Sequence, residues 1–341
     1  MIAAAVGLLA AAAPMVSPLT AQESVLKEEV EVARVVVDLR VVDRHGQPIP
    51  GLGPDDFRVR VDGKEVRIET VEWVTGASPR VEFPSEVEGS VEEILVSPPG
   101  RLIVLFFQRH IYVTRMVGLM KALERAREFV QTLNPEDHLA ILSFDTHLDL
   151  YSDFTQDRDH SLRILEESIV PYRPPPPIEA GAFPSLAKHF DAKAARRVTS
   201  AEAGLLVTAK ALKHLPGSKS LIFIGYGMGT FVGGAVQMRP EYSDARRTLM
   251  DARTAVFTLD VTRADYHTLQ SPLIKVARDT GGLYRKTFYS GYVAMDAVAR
   301  AISGHYELVF EKPDLPPGRH WMKINLRERR ADLYHRWFYD G

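Results

Sequence analysis

Residues 104–112 read VLFFQRHIY, an apolar run that stops abruptly at Gln108, Arg109 and His110. Continuous apolar runs of this kind read as parallel strands buried on both faces. Ligands of open α/β sheets sit outside the carboxyl ends of such strands, so the three polar residues stand where function is sought. Outward from this strand, RLIVLFF is followed by the amphipathic helix VTRMVGLMKALERAREFVQTL and a second strand, DHLAILSFD. A short strand LDLYSDF, a helix from near Asp157 and a proline-rich excursion over 171–190 come next. The helix AARRVTSAEAGLLVTAKALKHL then runs into the stop signal Pro216-Gly217. Strand SKSLIFIGY, a glycine-rich loop to Val236, a helix to about Arg253, strand TAVFTLDV, a helix to Arg278, strand GGLYRK and helix YVAMDAVARAIS complete the series. The alternation predicts an α/β domain over 101–304.

The flanks have a different period. Residues 31–75 alternate apolar and polar residues in short runs, with a tight turn at Asp62-Gly63, and 305–341 alternate in the same way. Strands at both ends of the chain predict one small β-module with the α/β domain inserted between its halves. Residues 76–100, rich in Ser, Pro and Glu, read as a linker.

Hydrophobic residues make up 45% of the 341 and charged ones 25%, the balance of a globular chain with ample core. The net charge of −2 supplies no general field for nucleic-acid phosphate. The absence of Cys removes disulfides and thiolate chemistry. Residues 1–21, which open with about sixteen apolar or small residues, read as a signal peptide, with a short N-terminal anchor as the alternative, and imply export to the periplasm or beyond; nothing after residue 30 is long and apolar enough to span a membrane.

In this order, VVVDLRVVDRHGQPIPGLGPDDFRVRVDGKEVRIETV, RLIVLFF, DHLAILSFDTHLDLYSDFT, LPGSKSLIFI, AVFTLDV, TGGLYRK and ISGHYELVFEKP resemble the von Willebrand factor A-type domain proteins of bacteria, more narrowly the acidobacterial kind. The resemblance implies a Rossmann-like, mostly parallel six-stranded sheet with helices on both faces and a short antiparallel edge strand near 148–151. It also implies a partner-binding site at the top of that sheet, which in such domains holds a metal through Asp-x-Ser-x-Ser, a Thr and a further Asp. Here the first motif falls on Gln108, Arg109, His110, Ile111 and Tyr112, the Thr on Thr199 and the Asp on Tyr226, so both carboxylates are missing. A divalent Mg needs an octahedron of oxygens and one or two carboxylates, which this set does not offer. The expectation is therefore a degenerate adhesion site formed by Gln108, Arg109, His110, Tyr112, Thr199, Tyr226 and Asp260, with no metal and no cofactor. Arg109 and His110 are expected to meet an acidic partner directly.

Other constellations are weaker. GYGMG over 225–229 lacks the serine of a nucleophile elbow and the spacing of a dinucleotide loop, and reads as a flexible loop. The histidines show no zinc-ligand spacing. The leading expectation is an exported, non-enzymatic module that binds a protein or an envelope component. The alternatives are a hydrolase using Asp145 or Asp260 with a His such as His110 or His147, and a purely structural envelope domain, favoured if loops cover the sheet's top.

Overall fold

The computed structural model describes residues 33–75, 81–82, 95–96, 98–109, 113–169, 171, 173–328 and 330–340. The expected signal peptide, most of the expected linker, and His110 and Tyr112 lie outside the described residues. Strands β1 (Arg34–Val42), β2 (Phe57–Val61), β3 (Lys64–Val66) and β4 (Ile68–Val74) come first. The two-residue strands β5 (Val81–Glu82) and β6 (Leu95–Val96) pair with each other.

The α/β region follows. It contains β7 (Leu102–Gln108), α1 (Val113–Gln131), β8 (His138–Phe144), β9 (Leu148–Thr155), α2 (Arg158–Ile164), α3 (Ala192–Ala195), α4 (Ala201–Leu212) and β10 (Lys219–Gly225). A hairpin of β11 (Thr230–Val232) and β12 (Ala235–Gln237) leads to α5 (Glu241–Asp251), β13 (Thr254–Asp260), α6 (Gln270–Thr280), β14 (Tyr284–Lys286) and α7 (Gly291–Ala301). The chain closes with β15 (His305–Glu311), β16 (Arg319–Leu326), β17 (Asp332–Tyr334) and β18 (Phe338–Asp340).

The central sheet has the order β14-β13-β10-β7-β8-β9, parallel throughout except for antiparallel β9 at one edge. Its strands are buried on both faces, which is why they carry runs rather than alternation. Val104, Phe106, Leu221 and Phe223 pack beneath α4, α5 and α6, whereas Ile103, Leu105, Phe107, Ile222 and Ile224 pack beneath α1, α2 and α7. Helix α1 crosses the end of β13 closely enough that a Cβ at Gly118 would lie 2.0 Å from the Val261 carbonyl oxygen. Helix propensity alone favours Ala over Gly by about 1 kcal/mol. Here Gly118→Ala is expected to destabilise by about 1–3 kcal/mol, the range for overpacking, and chemical denaturation reads the sign.

Two sequence expectations are corrected. The long helix over 194–215 is broken: α3 ends at Ala195, and Ser200 starts α4 as an N-cap whose side chain accepts from the Ala203 N–H. A capping hydroxyl that satisfies a free amide is more stable at a helix start than inside a helix. The glycine-rich loop before Val236 is a hairpin, with Gly233 and Gly234 at φ +59° and +85° supplying the tight turn.

The terminal strands form two four-stranded sheets, β17-β1-β15-β4 and β18-β16-β2-β3. Val37, Leu39, Phe57, Val59, Tyr306, Leu308 and Ile324 share one core between them. Tyr306 anchors it, stacking edge-on against Phe57 and Trp73 while its hydroxyl accepts from the Leu52 N–H and donates to the Ile49 carbonyl. The other face of β1 and β15 meets the α/β region. There Asp38 and Glu307, directly opposite each other across the strand pair, both bind the Arg253 guanidinium, at 2.6 and 2.5 Å. Arg40, 2% exposed, lies on the same face with its guanidinium over the Phe257 ring.

Candidate functional site

The parallel strands β7, β10 and β13 end together, with Ile224 level with Phe107 and Gly225 level with Asp260, and their carboxyl ends form the upper edge of the sheet. Gln108 ends β7 and is 5% exposed. Its side-chain oxygen accepts from the backbone N–H groups of Tyr226 and Gly227, at 3.0 and 3.2 Å, so the carboxamide seals the gap beyond the end of β10. Gly225 makes room for it: a Cβ there would lie 2.5 Å from that oxygen and 2.6 Å from the Phe223 ring. Gln108 and Gly225 thus act as a matched pair, one reaching across the space that the other leaves.

Arg109 is turned inward. It is 4% exposed, its guanidinium lies 2.8 Å from the Asp145 carboxylate and donates to the Tyr151 hydroxyl at 3.1 Å, and Tyr151 in turn donates to the Arg173 carbonyl. Burial pushes Asp145 up, but the Thr146 N–H and the Arg109 charge outweigh it and hold the carboxyl below its ordinary range. The expectation that Arg109 meets an acidic partner is corrected by these contacts. Its charge is already matched inside the protein, and exposing it would leave Asp145 without that cation.

Asp260, the last residue of β13, is fully buried. One carboxylate oxygen lies 2.7 Å from His267 Nε2 and accepts from the Tyr284 hydroxyl at 2.8 Å, and the other accepts from the Thr262 N–H at 2.9 Å. Burial acts to raise its pKa, but the His267 and Thr262 hydrogen bonds prevail and the carboxyl stays ionised below the usual range. Burial, with the neighbouring carboxylate, pushes the Tyr284 hydroxyl in the opposite direction, so it remains the donor. The arrangement ties the loop over 262–267 down onto the sheet.

Thr199 and Tyr226 are the other expected residues among those described. Thr199 is exposed in the break before α4. Tyr226 is half-buried, with the Arg115 guanidinium 3.9 Å over its ring. Three residues that the sequence reading did not single out are as important here: His267, Tyr284 and Glu202. Glu202, 1% exposed in the first turn of α4, accepts from Gly229 N–H at 2.7 Å and Arg239 N–H at 3.3 Å, which clips both legs of the β11–β12 hairpin at its base. Leu269 packs against Gly227, and Met228 is buried, so two loops close over this part of the edge. Glu202 is detectable as a carboxylate in a helix's first turn; His267 and Tyr284 lie on separate elements that only the fold brings to Asp260.

A divalent cation does not fit these residues. The Gln108 oxygen already serves two N–H groups and the Asp260 carboxylate three donors, and no group of three or more His, Cys, Asp or Glu positioned for a metal occurs among the described residues. For the hydrolase alternative, the structure pairs Asp260 with His267, and His147 lies between Asp145 and Asp149 at 3.6 and 3.2 Å. Among the described residues no serine or threonine hydroxyl bonds to His267, whereas the Thr146 hydroxyl lies 3.1 Å from His147 Nδ1.

The strand order and the antiparallel edge strand define an α/β protein of the von Willebrand factor A-type fold. Similar solved structures include an aerotolerance-related membrane protein from Bacteroides fragilis, 16% identical over 60% of this chain and 98% of that one, with a TM-score of 0.42. A von Willebrand factor type A protein from Catenulispora acidiphila is 10% identical over 85% and 75%, at 0.41. The vWF domain of the type V pili tip protein Mfa5 from Porphyromonas gingivalis is 10% identical over 59% and 94%, at 0.40. The fold assignment rests on the sheet and not on these likenesses. No family model and no curated protein matches the sequence.

Proposed function

We propose that the chain is an exported, non-enzymatic binding module that recognises a protein or envelope component without a metal at the A-type upper edge. The proposed organisation is a signal peptide over 1–21, a β-module from 31–75 and 305–341, a linker over 76–100 and the A-type domain over 101–304. The observation that carries the metal-free part is the internal use of Gln108, Arg109 and Asp260, each of which hydrogen-bonds to neighbours in the fold. Among the described residues no helix is long and apolar enough to cross a membrane. Exposed aromatic side chains, Tyr266, Tyr289 and Tyr292 among them, support binding over catalysis, because large exposed rings are the composition of recognition surfaces.

Two measurements test this reading. A metal bound only by the folded state raises stability by about 2.7 kcal/mol at a hundredfold excess over its dissociation constant. Melting curves of the purified chain in millimolar Mg²⁺, Mn²⁺ or EDTA are therefore expected to superimpose, and a reproducible metal-dependent rise in midpoint overturns the metal-free reading. An envelope-protein fraction passed over the immobilised chain is expected to leave the same bound set in Mg²⁺ and in EDTA. Retention of nothing in either condition favours the purely structural alternative, which the Leu269 and Met228 cover over the upper edge also supports.

A further inference from the structure

Beside the closed upper edge, two cations lie over one aromatic ring and a third stands close by. Phe288, just ahead of α7, has the Lys121 ammonium 4.3 Å from its centroid and the Arg263 guanidinium 5.8 Å from it. Lys286 donates to the Ala264 carbonyl at 3.3 Å and so stands against the loop that carries Arg263. None of these three cations pairs with a carboxylate among the described residues, whereas Arg125 on the same helix as Lys121 is matched by Glu128. The surroundings are aromatic and open. Tyr266 is 74% exposed, Tyr289 71%, Tyr292 61% and Val293 46%. Tyr289 stacks edge-on against Phe288, with ring centroids 5.0 Å apart, and Tyr292 and Val293 follow it within one helical turn. On α1, Val117 and Met120 are exposed on the face that carries Lys121.

The patch is held rigidly. Phe288 is itself buried, and the loop that presents Arg263 and Tyr266 is fastened through Thr262 and His267 to the Asp260 carboxylate. Asp260 stands at the same edge as the degenerate adhesion positions, yet its work is to position this loop. Preorganised tyrosines ringed by unmatched cations have the make-up of an interface hot spot. Their charge selects a partner of opposite sign.

We infer that this surface, formed by α1, the loop over 263–266 and the start of α7, docks an acidic polypeptide segment whose carboxylates meet Lys121, Arg263 and Lys286 and whose apolar side chains lie on the tyrosines. The inference rests on the binding-module reading and moves the contact off the sheet's upper edge. A nucleic acid carries the same sign of charge, but the exposed apolar side chains of Val117, Met120 and Val293 beside the cations match the apolar side chains of a polypeptide and offer nothing to a phosphate backbone.

The test uses the full chain and fluorescence anisotropy. The probes are a labelled random glutamate–tyrosine copolymer, a lysine–tyrosine copolymer and a single-stranded RNA oligomer. Saturable binding of the acidic copolymer that weakens with salt is expected. It is expected to fall about tenfold or more in the combined variant Lys121→Glu, Arg263→Glu, Lys286→Glu, and separately in Tyr289→Ser with Tyr292→Ser, with melting midpoints that stay near wild type. The tyrosine pair provides a variant without charge reversal, so loss in both cannot be ascribed to net charge alone. Binding that survives charge reversal, absence of saturable binding to the acidic copolymer, or tighter binding of RNA overturns the inference. If the charge-reversed chain still retains the wild-type set of envelope proteins, the docking surface is wrong while the binding-module reading stands; if neither chain retains any, the reading itself fails.

Discussion

Replacement of Arg253 by alanine is expected to destabilise the protein by about 3 kcal/mol at neutral pH, the cost of removing one partner from a largely buried ion pair. Asp38 and Glu307 are cross-strand neighbours on β1 and β15, and like charges directly opposite each other destabilise a sheet. The cation that reconciles them comes from the other side of the interface, from Arg253 at the end of α5. Its backbone has φ +47°, a left-handed conformation usually left to glycine, so the side chain is retained against a local cost of about 1–2 kcal/mol. Arg253→Gly is accordingly expected to lose less than Arg253→Ala by about that amount, and Glu307→Gln to recover part of the loss when combined with either.

The pH dependence has a definite sign. Burial acts to raise Asp38, but Arg253 and His305 outweigh it and hold its carboxyl well below the ordinary value. A carboxyl depressed by folding contributes stability above its unfolded pKa, near 4, and the contribution is lost as pH falls through the folded pKa. Burial also lowers His305, so protonating it below about pH 6.5 opposes folding in wild type and variant alike. In Arg253→Ala, Asp38 loses the cation that lowers its pKa and takes up a proton more readily. The difference between wild type and variant is therefore expected to be largest near pH 7 and to shrink below about pH 4, as read by urea midpoints. A difference that grows in acid contradicts the ion-pair account.

Truncation after Gly304 is expected to have a still larger effect. Strand β15 lies between β1 and β4 in one sheet, and β16 between β18 and β2 in the other. Removing them takes a central strand out of each sheet and strips Val37, Leu39, Phe57 and Val59 of their facing residues. Isolated strand pairs are marginal in water. Hydrogen exchange over 34–74 is expected to rise to the unfolded rate, while the central strands Leu102–Gln108 and Lys219–Gly225 stay protected. The whole chain's melting midpoint is expected to fall by roughly 10 °C or more. Undiminished protection of 34–74 contradicts the idea that the terminal strands fold as one unit.

The central sheet is legible in sequence because burial on both faces leaves a direct mark: VLFF, AILSF, LIFI and AVFTL are runs that no half-exposed strand carries. The edge position of Gln108 and Asp260 follows from where those runs stop. What their side chains do does not follow, since the partners of Asp260 come from a loop and from β14, and those of Gln108 are backbone N–H groups beyond the end of β10. The hairpin at 230–237 was readable from Gly233-Gly234 between two strand-forming triplets, but Gly227 and Gly229 just ahead made the stretch look irregular. Alternation in β1 and β15 marks strands and an inner face. Whether the polar face meets water or a second layer is a matter of docking, which local pattern does not encode.

The insertion of the α/β region between the two halves of the sandwich has a kinetic consequence. Residues 34–74 are synthesised before the α/β region, yet β1 and β4 have no sheet until β15 arrives between them after the whole of that region. At synthesis rates of ~5–20 residues per second, that wait is on the order of ten seconds to a minute. During it the early strands carry apolar faces and open hydrogen-bonding edges. Completion of the sandwich is thus the late, high-contact-order step of folding, and the interval before it is when the nascent chain is most exposed to aggregation.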